Sequence, residues 1–316
     1  MKILILRLSS LGDIVLTQPI AAWLRARYPY AEIDFAVKPQ FSELVSLMDC
    51  ELNPIPYEKS LRFHWALHRK RYDLVVDLHG KLSSYLITLA AAAPQTLHYN
   101  KARALRKRIV KGDSNISISS TLDLYRSALL QISEDVTLDS PRLRPALHAP
   151  LPDLPTAEKR ILIFPGATHN TKQYPAHYYK ELIVNSPKAY QYILLGSPSE
   201  RSLVEQVMVE NRTIDLCGRL NFAQLLTLIQ SSDWVISSDS GPMHLAAAMH
   251  KAQIAIFGAT HPRLGFAPLN PNAHIICADL DCQPCSLHGT EECPQGHFKC
   301  MHSISYHRIL GIINQF

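Results

Sequence analysis

The sequence predicts an α/β protein of two doubly wound, Rossmann-like domains facing one another across a cleft, and three observations carry that prediction. At 316 residues the chain is long for one compact domain and comfortable for two, each with a sizeable core. Short apolar runs alternate with helix-length amphipathic segments in both halves, and a proline-rich stretch without either period separates them. Each half also contains a glycine turn between a strand and a helix: Ser9-Ser10-Leu11-Gly12-Asp13 after Ile3-Leu4-Ile5-Leu6, and Ser238-Asp239-Ser240-Gly241-Pro242-Met243-His244 after Trp234-Val235-Ile236. Such turns put polar side chains and free backbone N–H groups at the carboxyl end of a strand, where open α/β sheets bind ligands.

The first half reads as a strand over residues 2–7 and a helix over 13–27, a strand over 33–37 and a helix around 41–48, a strand over 74–77 and a helix over 81–92. Arg25 and Arg27 suit the negative end of the first helix, Tyr28-Pro29 stops it, and Pro19 inside it predicts a kink. Residues 140–156 hold five prolines (Pro141, Pro145, Pro150, Pro152, Pro155) and read as the linker. The rhythm then restarts, with strands over 160–164, 192–195, 213–216, 234–237 and 253–257 and helices over 176–186, 199–210, 221–231 and 242–249. The expected division is a first domain over 1–150 and a second over 151–302, with a last helix over 303–316 packing back across the first domain.

Residues 1–150 carry 20 Lys and Arg against 14 Asp and Glu, while the remainder is nearly balanced, so the net charge of +5 is assigned to the N-terminal half. A basic half suits an acidic partner. Within it, the run from Lys101 through Arg103, Arg106, Lys107 and Arg108 to Lys111 lacks interleaved aromatics, which ranks anions or lipid headgroups above nucleic acid. Arg62 and His68-Arg69-Lys70-Arg71 add to it. The opening apolar run is broken by Arg7, too early for a secretory signal, and no span approaches the ~18 apolar residues of a membrane helix. A cytoplasmic protein is expected, with peripheral membrane attachment left open and its cysteines thiols or metal ligands.

The first turn has one glycine where a dinucleotide fingerprint needs three, and no G-K-[ST] occurs, which argues against NAD enzymes and P-loop NTPases. Asp13 is a candidate base, though a first-turn acid alone is equally a helix cap. The loop from Pro165 to Pro175 offers Thr168 and Lys172 to a phosphate, and Asp239, Ser240, Gly241, Pro242 and His244 form a helix N-terminus suited to an anion. Cys282-x2-Cys285-x7-Cys293-x6-Cys300 supplies four thiols for a structural zinc or iron, with His297 as a substitute ligand. Packed thiols, or disulfides formed on isolation, are the other reading of that set, and Cys50, Cys217 and Cys277 read as small buried hydrophobes.

With these residues in view, the chain resembles glycosyltransferase family 9, the ADP-heptose:lipopolysaccharide heptosyltransferases of Gram-negative inner-core synthesis, over nearly its whole length. The resemblance rests on Ile5-x-Arg7-x-Ser9-Ser10-Leu11-Gly12-Asp13-Ile14, Tyr72-Asp73-Leu74-Val75-Val76-Asp77-Leu78-His79-Gly80, the Lys172 loop ending in Tyr174-Pro175, and Ser238 to Ala248 with Phe257-Gly258-Ala259-Thr260 downstream. It implies a GT-B fold and inverting transfer of heptose from ADP-heptose to Kdo-lipid A or a heptosylated core, without a catalytic metal. On this chain it implies Asp13 as general base, Lys172 on the diphosphate, the Asp239 to His244 turn and Thr168 on phosphate, and Glu200 and Leu220 at the ribose and adenine. Ser9, Ser10, Gly12, Arg62, Arg103, Arg106 and Arg108 fall to the acceptor side. Where members often have an arginine after Asp77-x-x-Gly80, this chain has Lys81-Leu82-Ser83-Ser84. The cysteine set occurs in part of the family, nearer the second-heptose type. The competing readings are a nucleotide-sugar epimerase of the same architecture and a non-enzymatic nucleotide-binding module.

Overall fold

The computed structural model describes residues 1–146 and 149–315, which form two units: residues 1–102 with 121–144, and residues 103–120 with 145–315. The first contains strands β1 (Lys2–Leu6), β2 (Glu32–Val37), β3 (Asn53–Pro56), β4 (Leu74–Asp77) and β5 (Gln95–His98) in one parallel sheet of order β3-β2-β1-β4-β5. The register sets Ile3 beside both Ile33 and Leu74. Central parallel strands are covered on both faces, and Ile3, Leu4, Ile5 and Leu6 are accordingly all fully buried. The edge strand β3 carries two prolines, tolerated where no inner ladder is lost, and that polar, proline-bearing sequence hides it from pattern reading.

Helices α1 (Leu11–Leu16), α2 (Gln18–Arg27), α3 (Ser42–Ser46), α4 (Leu61–Lys70) and α5 (Leu82–Ala91) follow the strands. The helix expected over 13–27 is two, divided at Thr17, whose hydroxyl donates back to Ile14 O at 2.6 Å. Pro19 lies in the first turn of α2, where its missing N–H costs nothing, so it starts a helix and does not kink one.

Helix α6 (Arg103–Val110) belongs to the second unit and α7 (Thr121–Leu129) to the first. The second unit carries β6 (Lys159–Phe164), β7 (Tyr190–Leu194), β8 (Thr213–Asp215), β9 (Trp234–Ser238), β10 (Gln253–Phe257) and β11 (Ala273–Cys277), all parallel, in the order β11-β10-β9-β6-β7-β8. Its further helices are α8 (Ala176–Asn185), α9 (Arg201–Val207), α10 (Phe222–Ser231), α11 (Gly241–Ala248), α12 (Lys299–His302) and α13 (Tyr306–Gln315).

Two segments belong to the second unit. The terminal helix belongs to the second unit: Ile309 and Ile313 of α13 are buried with Leu182 and Ile183 of α8, Lys159 Nζ donates to Ile313 O at 2.7 Å, and Tyr190 Oη donates to Asn314 Oδ1 at 3.0 Å. An apolar stripe on α13 and a matching one on α8 decide this. The basic segment 103–120 is likewise part of the second unit, held by Ile118 N–H to Arg263 O at 2.9 Å and by the Arg106 guanidinium stacked on Phe266 at 4.6 Å. The first unit then carries 15 Lys and Arg against 13 Asp and Glu, so the basic excess is not concentrated there. Among the described residues no helix is long and apolar enough to cross a membrane.

Candidate functional site

In each sheet the strand order reverses once, between β1 and β4 in the first and between β6 and β9 in the second. Ligands of open parallel sheets bind at such points, beyond the strands' carboxyl ends. The sequence places its chemistry at both.

In the first unit Ser10 caps α1, and Asp13 in the first turn accepts from Ser10 Oγ at 2.7 Å and Ser10 N–H at 3.3 Å. The capping role and the candidate base are therefore one side chain. Asp13 also accepts from Arg7 Nη2 at 2.6 Å and from Tyr125 Oη on α7 at 3.0 Å. Burial alone would raise this carboxyl, but the Arg7 charge and the hydrogen bonds outweigh it and hold the group at about 2. Arg7 Nη1 donates to Leu78 O at 2.5 Å, so one buried guanidinium spans the switch point from β1 to the turn after β4. In that turn Asp77 accepts from the N–H groups of His79 and Gly80, both at 2.9 Å, and from Ser84 Oγ at 3.0 Å, while Lys101 Nζ donates to Gly80 O at 2.6 Å.

His79 is 4% exposed and its Nδ1 has no hydrogen-bond partner among the described residues. Burial, with the cations Arg7, Lys81 and Lys101 nearby, pushes it down to about 4, so the ring is neutral near pH 7. Arg7, Tyr125 and His79 are functional candidates that pattern reading left unassigned. A charged side chain directly after an apolar strand flags Arg7; nothing local flags Tyr125, which arrives from a helix over a hundred residues away.

In the second unit Lys172 Nζ meets Asp239 Oδ2 at 2.9 Å, joining the loop after β6 to the end of β9 across that sheet's switch point. Thr260 Oγ1, after β10, donates to the same oxygen at 2.7 Å. Ser240 is the N-cap of α11, Gly241 and Pro242 form its first turn, and His244 is buried one turn in. Glu200 follows β7, accepts from Ser197 N–H at 2.6 Å, and lies against Gly166, where an added Cβ would fall 1.7 Å from Glu200 Oε1. A larger residue there would force the Glu200 side chain to move. The structure thus gathers Lys172, Asp239, Ser240, Gly241, Pro242, His244 and Glu200 at one sheet edge, with Thr168 exposed in the same loop as Lys172. Leu220 lies half-buried in the connection from β8 to α10, two strands from β6.

The arginines expected on the acceptor side separate. Arg62 is exposed at the start of α4 in the first unit. Arg106 is buried against Phe266, Arg108 pairs with Asp113 at 2.8 Å, and Arg103 is exposed, all three in the second unit.

All seven cysteines are free thiols. Cys282, Cys285, Cys293 and Cys300 lie near enough for burial and mutual charge to push Cys285 to about 11 and Cys300 to about 12. Cys293 is held below the usual thiol range: burial opposes this, but backbone hydrogen bonds from residues 295–298 outweigh it, which suits a thiolate. His297 is not a fourth ligand in this arrangement. Its Nδ1 accepts the Lys299 N–H at 3.0 Å, so Nε2 carries the proton and faces Cys282 Sγ at 3.9 Å as a donor.

Among the described residues the one group with three ligand atoms within 4.8 Å is instead His261, Cys277 and Asp279. The same test removes it: His261 Nδ1 accepts the Arg263 N–H at 3.0 Å and Nε2 donates to Asp279 at 2.9 Å, leaving no lone pair for a cation. The cysteine loop also braces Lys172. Thr171 and Thr290 exchange backbone and side-chain hydrogen bonds of 2.7–3.1 Å, and Gly289, at φ +94°, lies against the Lys172 stem.

The model of glycosyltransferase family 9 (heptosyltransferase) matches residues 60–295. Lipopolysaccharide heptosyltransferase 2 of Salmonella typhimurium is 27% identical, with 87% of this chain and 88% of that protein covered. Lipopolysaccharide heptosyltransferase 1 of Campylobacter coli is 26% identical, covering 82% and 84%. Among solved structures, E. coli ADP-heptose lps heptosyltransferase II superposes with a TM-score of 0.76 at 22% identity, over 100% of this chain and 98% of that one, so the GT-B architecture is shared.

Proposed function

Because the chain belongs to glycosyltransferase family 9, we propose that it is an inverting transferase that moves heptose from ADP-heptose to the inner core of lipopolysaccharide, with Kdo-lipid A or a heptosylated core as acceptor. Family membership favours this over an epimerase or a non-enzymatic nucleotide-binding module. The observation that carries the mechanism is a half-buried, ionised Asp13 at the carboxyl edge of the first sheet's switch point.

In this reading the acceptor hydroxyl attacks the anomeric carbon, the bond to the diphosphate breaks, and Asp13 takes the hydroxyl proton. A carboxylate held at about 2 is a weak base, so the proton moves late, once the forming bond has made the hydroxyl strongly acidic. On the donor side Lys172 and the N–H groups opening α11 oppose the charge that grows on the leaving diphosphate, in place of a divalent cation. Asp239, itself held by Thr260, keeps Lys172 aimed at that position. Glu200 and Leu220 contact the ribose and adenine, and Thr168 and His244 assist at the phosphates. Ser9, Ser10, Gly12 and Arg62 lie on the acceptor side, and peripheral contact with the cytoplasmic face of the inner membrane brings the lipid-linked acceptor within reach.

Four soft thiols, three on one loop and Cys300 on α12, fit zinc or iron better than a hard cation. Cys282, Cys285, Cys293 and Cys300 would hold such an ion once Cys285 Sγ turns from its 2.9 Å hydrogen bond to Cys282 O. It would stiffen the loop that braces Lys172 and supply no reacting group.

The test is an assay of the purified chain with ADP-heptose against lipid A precursors bearing Kdo and zero, one or two heptoses. Product with one of them, together with ADP and inverted anomeric configuration, is the expected result. Free heptose or an epimerised nucleotide sugar, formed without regard to acceptor, would overturn the transferase reading.

A further inference from the structure

Helix α5 is apolar on two sides. Ile87 and Ala91 face the core of the first unit, yet Leu82, Tyr85, Leu86 and Leu89 recur at helical spacing and are 49–75% exposed. The neighbouring α4, joined to it by a 3.3 Å contact from His68 Nδ1 to Ala90 O, buries Phe63 and Leu67 and leaves Leu61 and Trp65 open. Six of the thirteen large hydrophobic side chains most exposed among the described residues therefore lie on this one helix pair. Contiguous apolar surface of this kind marks a docking face.

Charge selects the occupant. Lys59, Arg62, Arg69, Arg71 and Lys81 are exposed beside the patch, none of them forms an ion pair among the described residues, and Arg69 stacks on Trp65 at 4.6 Å. Glu58 is the one acidic residue between Tyr57 and Tyr72. Aliphatic and aromatic side chains ringed by cations are the composition of a surface that sinks into the headgroup region of an anionic bilayer.

Both helices begin at the carboxyl edge of the first sheet, the edge that holds Asp13, because each follows a parallel strand. We propose that the exposed face of α4 and α5 docks this protein onto an anionic membrane and presents the Asp13 edge to lipid-borne molecules there. The inference deepens the acceptor reading above but is tested without turnover, so the two fail separately.

The experiment is vesicle flotation of the full chain with phosphatidylethanolamine–phosphatidylglycerol vesicles and with phosphatidylcholine vesicles. The expected result is binding to the anionic vesicles that weakens as salt rises, falls about tenfold or more in Leu82→Ser/Leu86→Ser/Leu89→Ser, and falls likewise in Arg62→Gln/Arg69→Gln/Lys81→Gln. Far-UV circular dichroism and cooperative thermal unfolding unchanged from the wild type certify that both variants fold. Brominated lipid should quench a fluorescence component that Trp65→Phe removes. No binding to anionic vesicles at low salt, undiminished binding by both variants, or a dimer that the serine variant converts to monomer would each overturn the proposal, the last by assigning the face to a second copy of the chain.

Discussion

The two parallel sheets share a strand order about their first strands and each carries an ion pair beside its switch point, yet in the proposed mechanism the working charge is reversed between them. At β1/β4 the anion, Asp13, is the group offered to chemistry, and Arg7 holds it ionised while tying the turn after β4. At β6/β9 the cation, Lys172, is the group offered, and Asp239 holds it. A fold that merely repeated itself would carry the same sign twice. On that proposal the doubly wound scaffold supplies position, and single side chains after the strands decide whether an edge suits a proton or a diphosphate.

Neutralising Asp13 and Lys172 should have the largest effects. Asp13→Asn should lower turnover about 10²- to 10⁴-fold, the range of a lost general base, with ADP affinity unchanged by calorimetry. Near wild-type turnover at saturating donor would end the assignment. Lys172→Met should cost about 10²-fold in turnover and, unlike Asp13→Asn, also weaken ADP binding. Asp239→Asn should reproduce part of that loss, and the double variant Lys172→Met/Asp239→Asn should add little to Lys172→Met alone, because the two residues act as one device. Additive losses would show that Asp239 has a separate role.

The first edge should also reveal itself in acid, through His79. The unfolded imidazole binds a proton near its ordinary 6.5 while the buried ring resists to about 4, so the unfolded state gains protons in that window and stability falls as pH drops through it. The full difference is about 3 kcal/mol. Asp13 works in the same direction lower down, its stabilisation being lost between its ordinary 3.8 and about 2. Urea unfolding across pH 7 to 4 should show the first loss in the wild type and a flatter profile in His79→Gln. An unchanged acid limb in that variant would place the titrating group elsewhere. The smallest effect expected is none at all: adding Mg²⁺ or Mn²⁺ should leave the transfer rate unaltered if, as proposed, Lys172 and the α11 N-terminus oppose the charge on the diphosphate, and strong activation by either ion would refute that role.

Local pattern made both sheets legible. Alternation of apolar strands with amphipathic helices located β1, β2, β4 and the strands β6 to β10 within a residue or two, because each buries a run that has few other uses. The glycine turns located Asp13 and Gly241, since a strand end opening a helix advertises itself in four or five residues. The short or polar edge strands β3, β5 and β11 bury too little to leave such a signal.

What the sequence alone determined was the fold class, the two strand-end turns and the family resemblance, all written in contiguous residues. The tertiary structure decided everything that depends on distant residues meeting: that Tyr125 reaches Asp13, that Thr260 reaches Asp239, that Thr290 braces the Lys172 loop, and that Arg106 is buried against Phe266. It also decided proton placement on His261 and His297, since a backbone N–H arriving at Nδ1 removes each ring as a metal ligand. The reason is physical. Propensity and periodicity act over one or two helical turns, whereas burial, ion pairing and tautomer choice are set by whichever atoms the folded chain brings within about 3 Å.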